Sequence, residues 1–527
     1  MEASLFRGQE NTLFMMMRTV SKGLCRTIPV VLLALSLAAM AQQPTAPAEA
    51  PAATPAESHL TPQQAKELFR SVDEILQFVS DDTGLAQKQS VKRRLINREE
   101  VEKYLLDKIK SDPDTKRAER SEVVLKKFGL IDRDFHLQPF LISLLKEQIA
   151  GYYDSKTRTV NLLDWIEPAQ QKDVLAHELT HALQDQRVRL EKWNNTASAT
   201  LPQNASEDNQ YLNNDEVDDT REAVLEGQAM AVFVDYSLRP IGKTVLTAPD
   251  MVKAMMEHMS DAADSPIMAR APLLLQQSLI FPYREGLGFI QKLLTDRGKE
   301  AAFAGLLDSP PSTSWEILNP DQFEQGNHPP RLKIPDIHPL LGSNYTPYDL
   351  GAVGQLDLRI LATLYGGEEL SQTLTPAWDG GYYYAAHIES DAAKKLPSTS
   401  TATIATLYFS SWKSEQAARS FAAMYADNIA RKYSGVVQDE KESTEEETIW
   451  QTAEGPVMIV VRDKQVFISE SFDLSTARKL ELVMTGIQAT GDTKTAMLAI
   501  PQDGLSDGLV RLFANAGMMQ VALPKAF

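Results

Sequence analysis

Two histidines stand four residues apart in an apolar stretch, Val174-Leu175-Ala176-His177-Glu178-Leu179-Thr180-His181-Ala182-Leu183, and Glu178 directly follows the first. Residues four apart on a helix lie one above the other, so both imidazoles can reach a single metal ion. Glu178 leans beside that ion, placed to take a proton from water rather than to bind. The flanks are apolar or small and free of proline and glycine, as a buried helix requires. A catalytic zinc needs three protein ligands and an open position. No third histidine follows at short range, where Asp185 and Arg187 stand. A carboxylate from a second element has to complete the set. The stretch Thr220-Arg221-Glu222-Ala223-Val224-Leu225-Glu226-Gly227-Gln228-Ala229 offers two, Glu222 and Glu226, one helical turn apart. One of them would bind, and the other would support from behind, a role that metal sites generally fill.

Leu225-Glu226-Gly227-Gln228-Ala229 resembles the NEGFA-type segment of aminopeptidase N-like gluzincins. The resemblance implies that Glu226 is the third zinc ligand. Leu225 stands where that segment has asparagine, and the 44 residues between His181 and Glu226 exceed that family's gap. The helix His177–Leu183 also resembles the HELTHA segment of the thermolysin-like family, with Asp185 matching an acidic residue there. That pattern would make Glu222 the ligand and Glu226 the acid holding the first histidine. The Glu-Gly-x-Ala context favours Glu226, leaving Glu222 as the supporting acid or alternative ligand. Phe281-Pro282-Tyr283-Arg284-Glu285-Gly286 resembles the PYxKG segment of the aminopeptidase group, with Glu285 in place of lysine. It implies that the Tyr283 hydroxyl donates to the oxyanion of a tetrahedral intermediate. Without the resemblance, Tyr283 reads as a packed aromatic at a helix start.

The resemblance covers roughly residues 150–290. It implies a zincin-like metallopeptidase domain binding one Zn2+ per chain, with a peptide or protein substrate and Glu178 as general base and then acid. Two rival readings are a zinc-bearing scaffold without turnover and a zinc hydrolase of a non-peptide bond, such as an ester or epoxide.

The elements that must position these residues follow from hydrophobic periodicity. From Thr61 to about Lys127 the pattern is helical, opening with Thr61 as N-cap, Pro62 in the first turn, and Leu68, Val72, Ile75, Leu76 and Val79 on one face. A further helix spans about 137–150. A hairpin follows over 151–163, turning at Ser155-Lys156-Thr157-Arg158, and its edge strand is expected above the metal, where it could pair with an extended peptide. A long helix is expected over about 168–190, a polar, asparagine-rich loop over 191–215, and helices from about 218 to 307. The acidic run Glu207, Asp208, Asp215, Glu216, Asp218 and Asp219 lacks a DxDxDG loop and reads as solvated, calcium being the alternative. The proline-studded stretch 308–345 reads as an extended connection. Beyond it a strand at 401–409, a helix at 413–433, three short strands at 448–471 and a helix from about 475 suggest a small α+β domain without a catalytic cluster. The fold class is therefore α+β: a mostly helical domain over 59–307 with a small N-terminal hairpin or sheet, and a smaller C-terminal α+β domain over 346–527. His59, His136, His258, His328, His338 and His387 lack metal-ligand spacing and read as structural or exposed.

Residues 1–41 have the layout of a secretory signal peptide. Arg18, Lys22 and Arg26 precede an apolar run from Ile28 to Met40, and Ala39-Met40-Ala41 is a small-x-small cleavage site. Translation could start as late as Met17. Residues 42–58, rich in proline and alanine, read as a disordered linker. The expected location is secreted or periplasmic, with membrane contact only during export. The sole cysteine, Cys25, lies within the expected signal peptide, so no disulfide or thiol nucleophile is expected in the mature chain. A formal net charge of −18 over 527 residues, with no basic stripe, argues against a nucleic-acid partner. The length suits two or three domains.

Overall fold

The first predicted helix forms as its caps dictate. Helix α1 (Pro62–Thr83) starts at a capping box in which Gln64 answers Thr61, ends at Gly84 in the left-handed region, and buries the predicted stripe of Leu68, Val72, Ile75, Leu76 and Val79. The structure is a computed structural model and describes residues 59–111, 115–149, 151–193, 201–259 and 265–489. The expected signal peptide and Pro/Ala linker lie outside the described residues, as do 490–527.

After α1 the chain departs from the helical expectation. Strand β1 (Lys92–Ile96) intervenes before helices α2 (Arg98–Ser111), α3 (Thr115–Phe128) and α4 (Leu137–Gln148). Lys92-Arg93-Arg94 opens β1 with three cations, which hide any two-residue apolar alternation. What makes β1 a strand is pairing: it runs parallel to β3 (Thr159–Leu163), from Lys92 opposite Thr159 to Ile96 opposite Leu163. Strand β2 (Tyr152–Asp154) pairs antiparallel on the other side of β3, so the order is β1-β3-β2 and β2 is an edge. The expected hairpin is thus two strands of a three-stranded sheet.

Helix α5 (Pro168–Val188) packs against α1, β2 and β3. The stretch expected as a polar loop instead carries a short helix (Leu190–Trp193) and helix α6 (Ala205–Asn214), capped by Asn204. The acidic run is not solvated: Asp208, Asp215, Asp218 and Asp219 are buried. Asn204 sits at a helix N-cap, and Glu207 and Asp208 in the first turn of α6 and Asp218 and Asp219 in that of α7 lie where the helix dipole favours them, packing covering all but Glu207. Helices α7 (Val217–Leu238), α8 (Pro249–Met259) and α9 (Leu273–Arg297) complete the helical half. The proline-rich stretch 308–345 is only partly extended, with short helices at Ser314–Leu318, Pro320–Glu324 and His338–Leu341. Pro320 and Pro339 fall in first helical turns, where a missing N–H costs nothing.

The second sheet has seven strands in the order β4-β5-β6-β10-β9-β8-β7: β4 (Tyr345–Ala352), β5 (Trp378–Ile388), β6 (Ile404–Trp412), β7 (Val437–Gln438), β8 (Glu447–Thr452), β9 (Gly455–Arg462) and β10 (Gln465–Glu470). Helix α10 (Gln355–Leu374) links β4 to β5, α11 (Glu415–Asp427) follows β6, and α12 (Leu474–Ala489) follows β10. The expected strand, helix, three strands and helix are β6, α11, β8 to β10 and α12, with the two-residue β7 added before β8 and β4, α10 and β5 preceding them all. Both faces of the sheet are buried. Tyr382, Tyr384, Leu407, Phe409, Met458, Val460 and Phe467 point to the α12 side, while Tyr383, Tyr408, Val457, Ile459, Val466 and Ile468 join the core of the helical half. The described residues, 59 to 489, belong to one compact unit. The fold is α+β and predominantly helical, with one three-stranded and one seven-stranded sheet.

Candidate metal centre

Helix α5 presents His177 and His181 on one face, and α7 lies alongside it. The two Nε2 atoms are 3.1 Å apart. Glu226, in the middle of α7, brings Oε2 to 3.0 Å from His177 Nε2 and 3.6 Å from His181 Nε2. Oε2 is buried, yet no hydrogen bond reaches it with acceptable geometry. Atoms held 2.0–2.2 Å from a tetrahedral zinc stand about 3.3–3.5 Å apart, so this triangle is close to the size the ion requires. Two imidazoles and a carboxylate are also a donor set that suits catalytic zinc. The three residues fit a divalent ion such as zinc.

The rest of the predicted set lies around the triangle. The buried Glu178 carboxylate does not enter it. Its Oε2 accepts a 2.7 Å hydrogen bond from the backbone N–H of Tyr153, which puts edge strand β2 against the site. Burial raises the Glu178 carboxyl above its ordinary value, against the pull of both histidines. Glu222, one turn before Glu226, is also buried. Burial and the neighbouring Glu226 raise its carboxyl well above the usual range, and the two carboxyls are hydrogen-bonded. Burial alone would lower His181, but Glu226 overrides it and holds the ring at about 10. Glu226 itself is depressed: burial raises it, and the two histidines outweigh that. Protons and a cation compete for the same atoms here.

Tyr283 sits not at a helix start but ten residues into α9, directly after Pro282. Its ring lies nearly parallel to His177, centroids 6.3 Å apart, and its buried hydroxyl bonds to Glu226, while burial and the surrounding carboxylates raise it well above the usual phenol range. Two glycines make this meeting possible. A Cβ on Gly227 would lie 2.4 Å from the Gly286 carbonyl carbon, and one on Gly286 would lie 2.3 Å from Ala223 O. Helices α7 and α9 therefore cross backbone to backbone, which brings Tyr283, one turn from Gly286, onto Glu226. Gly227 directly follows Glu226, and Gly286 lies one turn beyond Tyr283, so the crossing sets both side chains.

Sequence reasoning gave no role to Gln184 or Gln228 and noted Asp185 only through its resemblance. Asp185 accepts from the Tyr153 hydroxyl at 2.9 Å and from Leu190 N at 3.0 Å, tying β2 to the end of α5. Gln184 Oε1 lies 2.8 Å from His181 Nδ1. The i+3 spacing from His181 is the signal that would have flagged it, but an amide is not a metal ligand and its partner Gln228 is far away in sequence.

A second cluster, Asp296, Asp321 and Glu324, also offers carboxylate oxygens within ligand range of one another. It is largely exposed, and Lys292 already answers it. The ammonium bonds Asp296, lies 2.7 Å from Asp321 and 3.8 Å from Glu324. Among the predicted bystanders, His59 pairs with Asp164, His328 with Glu316, and His338 with Asp336 and Asp208.

No protein-family model, curated protein or solved structure matches this chain.

Proposed function

We propose that the chain is an exported zinc-dependent peptide-bond hydrolase of the gluzincin kind, with a zincin-like catalytic half. The observation that carries this reading is the convergence of His177, His181 and Glu226 on one point with Glu178 beside it and outside the triangle. His177, His181 and Glu226 would hold one zinc ion. Bound there, zinc supplies Lewis acidity, which polarises a carbonyl and acidifies water.

The chain's own residues account for the proton traffic. Glu178 takes a proton from the attacking water as the new C–O bond forms. It returns that proton to the amine nitrogen as the C–N bond breaks. The Tyr153 N–H holds the carboxylate in place for both steps. The Tyr283 hydroxyl, beside Glu226, donates to the oxygen on which charge develops. Glu222 steadies Glu226 from behind. A peptide or protein outside the cytoplasm is the substrate class that fits residues 1–41 as an export signal, and the charge of −18 disfavours nucleic acid. No helix of the described residues is long and apolar enough to cross a membrane.

Glu178→Gln tests the reading. The variant keeps size and one carbonyl oxygen, so zinc content should stay at one per chain while hydrolysis of a broad peptide library falls by about 10²–10⁴-fold. Equal cleavage by variant and wild type sinks the mechanism. Wild-type protein with full zinc and no cleavage points to a scaffold instead.

A further inference from the structure

Behind His181 runs a chain of side-chain amides that ends on the backbone. Gln228, two residues beyond Glu226, donates from Nε2 to Ala302 O at 2.8 Å and Phe303 O at 3.0 Å. Both carbonyls belong to the π-helical turn Ala301–Gly305, and a carbonyl can only accept. That fixes the Gln228 amide: its nitrogen faces the π turn, and its oxygen faces back toward α5. The oxygen meets Gln184 Nε2 at 2.9 Å, and the same nitrogen donates to Leu225 O at 3.0 Å. Gln184 is fixed in turn, with Oε1 facing His181 Nδ1 at 2.8 Å. An acceptor at Nδ1 requires the ring proton there. Both glutamines are fully buried, so water does not offer an alternative partner.

We propose that Gln184 and Gln228 are positioning residues, which carry the one-way hydrogen-bonding sense of the π-turn carbonyls to His181, hold its proton on Nδ1, and so turn the Nε2 lone pair toward His177 and Glu226. The inference rests on the zinc reading for its purpose but not for its geometry. Histidine ligands commonly donate their second ring N–H to a carboxylate, carbonyl or water, which fixes tautomer and orientation. Here the acceptor is a neutral amide whose own orientation is set two links away. Gln228 lies on the helix of Glu226, so the relay also fixes the register of α7 against α5. The π turn acquires a role from this arrangement, as the fixed end of the relay.

Full-length protein with Gln184→Leu, Gln228→Leu and both changes tests the relay by two readouts. In chelator competition, Gln184→Leu should lose about 10–100-fold in zinc affinity, the usual effect of removing a ligand's supporting partner. Gln228→Leu should lose less, and the double variant no more than Gln184→Leu alone, because the second link acts only through the first. A double-variant loss equal to the product of the single losses overturns the relay. Histidine-selective 15N spectra supply the second readout. Wild-type His181 should show an Nδ1–H resonance slow to exchange, with zinc added and without, and Gln184→Leu should lose it. Coordination through Nδ1 with the proton on Nε2 in zinc-loaded wild type also overturns the proposal, even where a variant fails to fold. Wild-type protein that takes up no zinc yet keeps the slow Nδ1–H signal counts against the zinc reading alone.

Discussion

Two clusters of buried charge among the described residues are finished differently. Against the large sheet, Lys127 of α3 and Lys432 are buried among carboxylates and hydroxyls. Lys127 gives its three donors to Glu454 at 3.0 Å, Ser471 at 2.7 Å and Thr401 O at 3.1 Å. Lys432 bonds Glu470 and Tyr425, and the same Glu470 accepts from Tyr425 and Tyr433. Burial lowers both lysines, and Lys432 keeps Glu470 ionised against the cost of its own burial. Every charged group there has its complement. In the helical half, Glu226 Oε2 is buried without a well-formed hydrogen bond, two imidazole nitrogens face it, and the Glu222 carboxyl beside it is raised by burial and by Glu226. Glu226 and the imidazoles shift one another's protons, but Glu226 Oε2 is left without a well-formed hydrogen bond. A buried charge network that closes on itself stabilises the fold, whereas a buried oxygen without a hydrogen bond calls for an explanation.

The largest expected effect tests the closed network. Lys432→Met leaves Glu470 buried without its cation and should destabilise the fold by about 3–5 kcal/mol in denaturant unfolding. Zinc content of the folded variant should be unchanged, because the change touches only the sheet half. A loss below about 1 kcal/mol, or a loss of zinc, breaks the contrast.

Zinc tests the open network. At about a hundred times its dissociation constant, zinc should stabilise wild-type protein by about 2.7 kcal/mol, visible as a rise in Tm that a chelator reverses. Glu226→Ala should lose most of that rise. If Glu222→Gln loses it and Glu226→Ala keeps it, the ligand is the earlier glutamate.

The helix crossing gives the smallest effect and the sharpest control. Gly286→Ala forces a Cβ against Ala223 O and should cost about 1–3 kcal/mol, with hydrolysis falling as Tyr283 is pushed off Glu226. Gly288→Ala, whose Cβ would sit 3.7 Å from Met256 Sδ, should gain up to about 1 kcal/mol in the same helix. Like responses from the two variants mean that the crossing is not what holds the tyrosine.

Some of this was readable along the chain, because it depends on neighbours within one element. The four-residue spacing of His177 and His181 places both rings on one face wherever the helix packs. The stripe from Leu68 to Val79 declares α1. Other features depend on a partner distant in sequence. Strand β1 is a strand only because β3 lies beside it, since Lys92-Arg93-Arg94 carries no alternation to read. The acids of 207–219 look like a solvated loop until α6, α7 and the strand Tyr345–Ala352 cover them, Asp215 bonding Ala352 N. Glu222 and Glu226 are one turn apart and alike in type, so sequence offered both. The crossing of α7 over α5 and α9 decided which carboxylate faces the histidines, because helix geometry fixes what shares a face, and only packing fixes what that face meets.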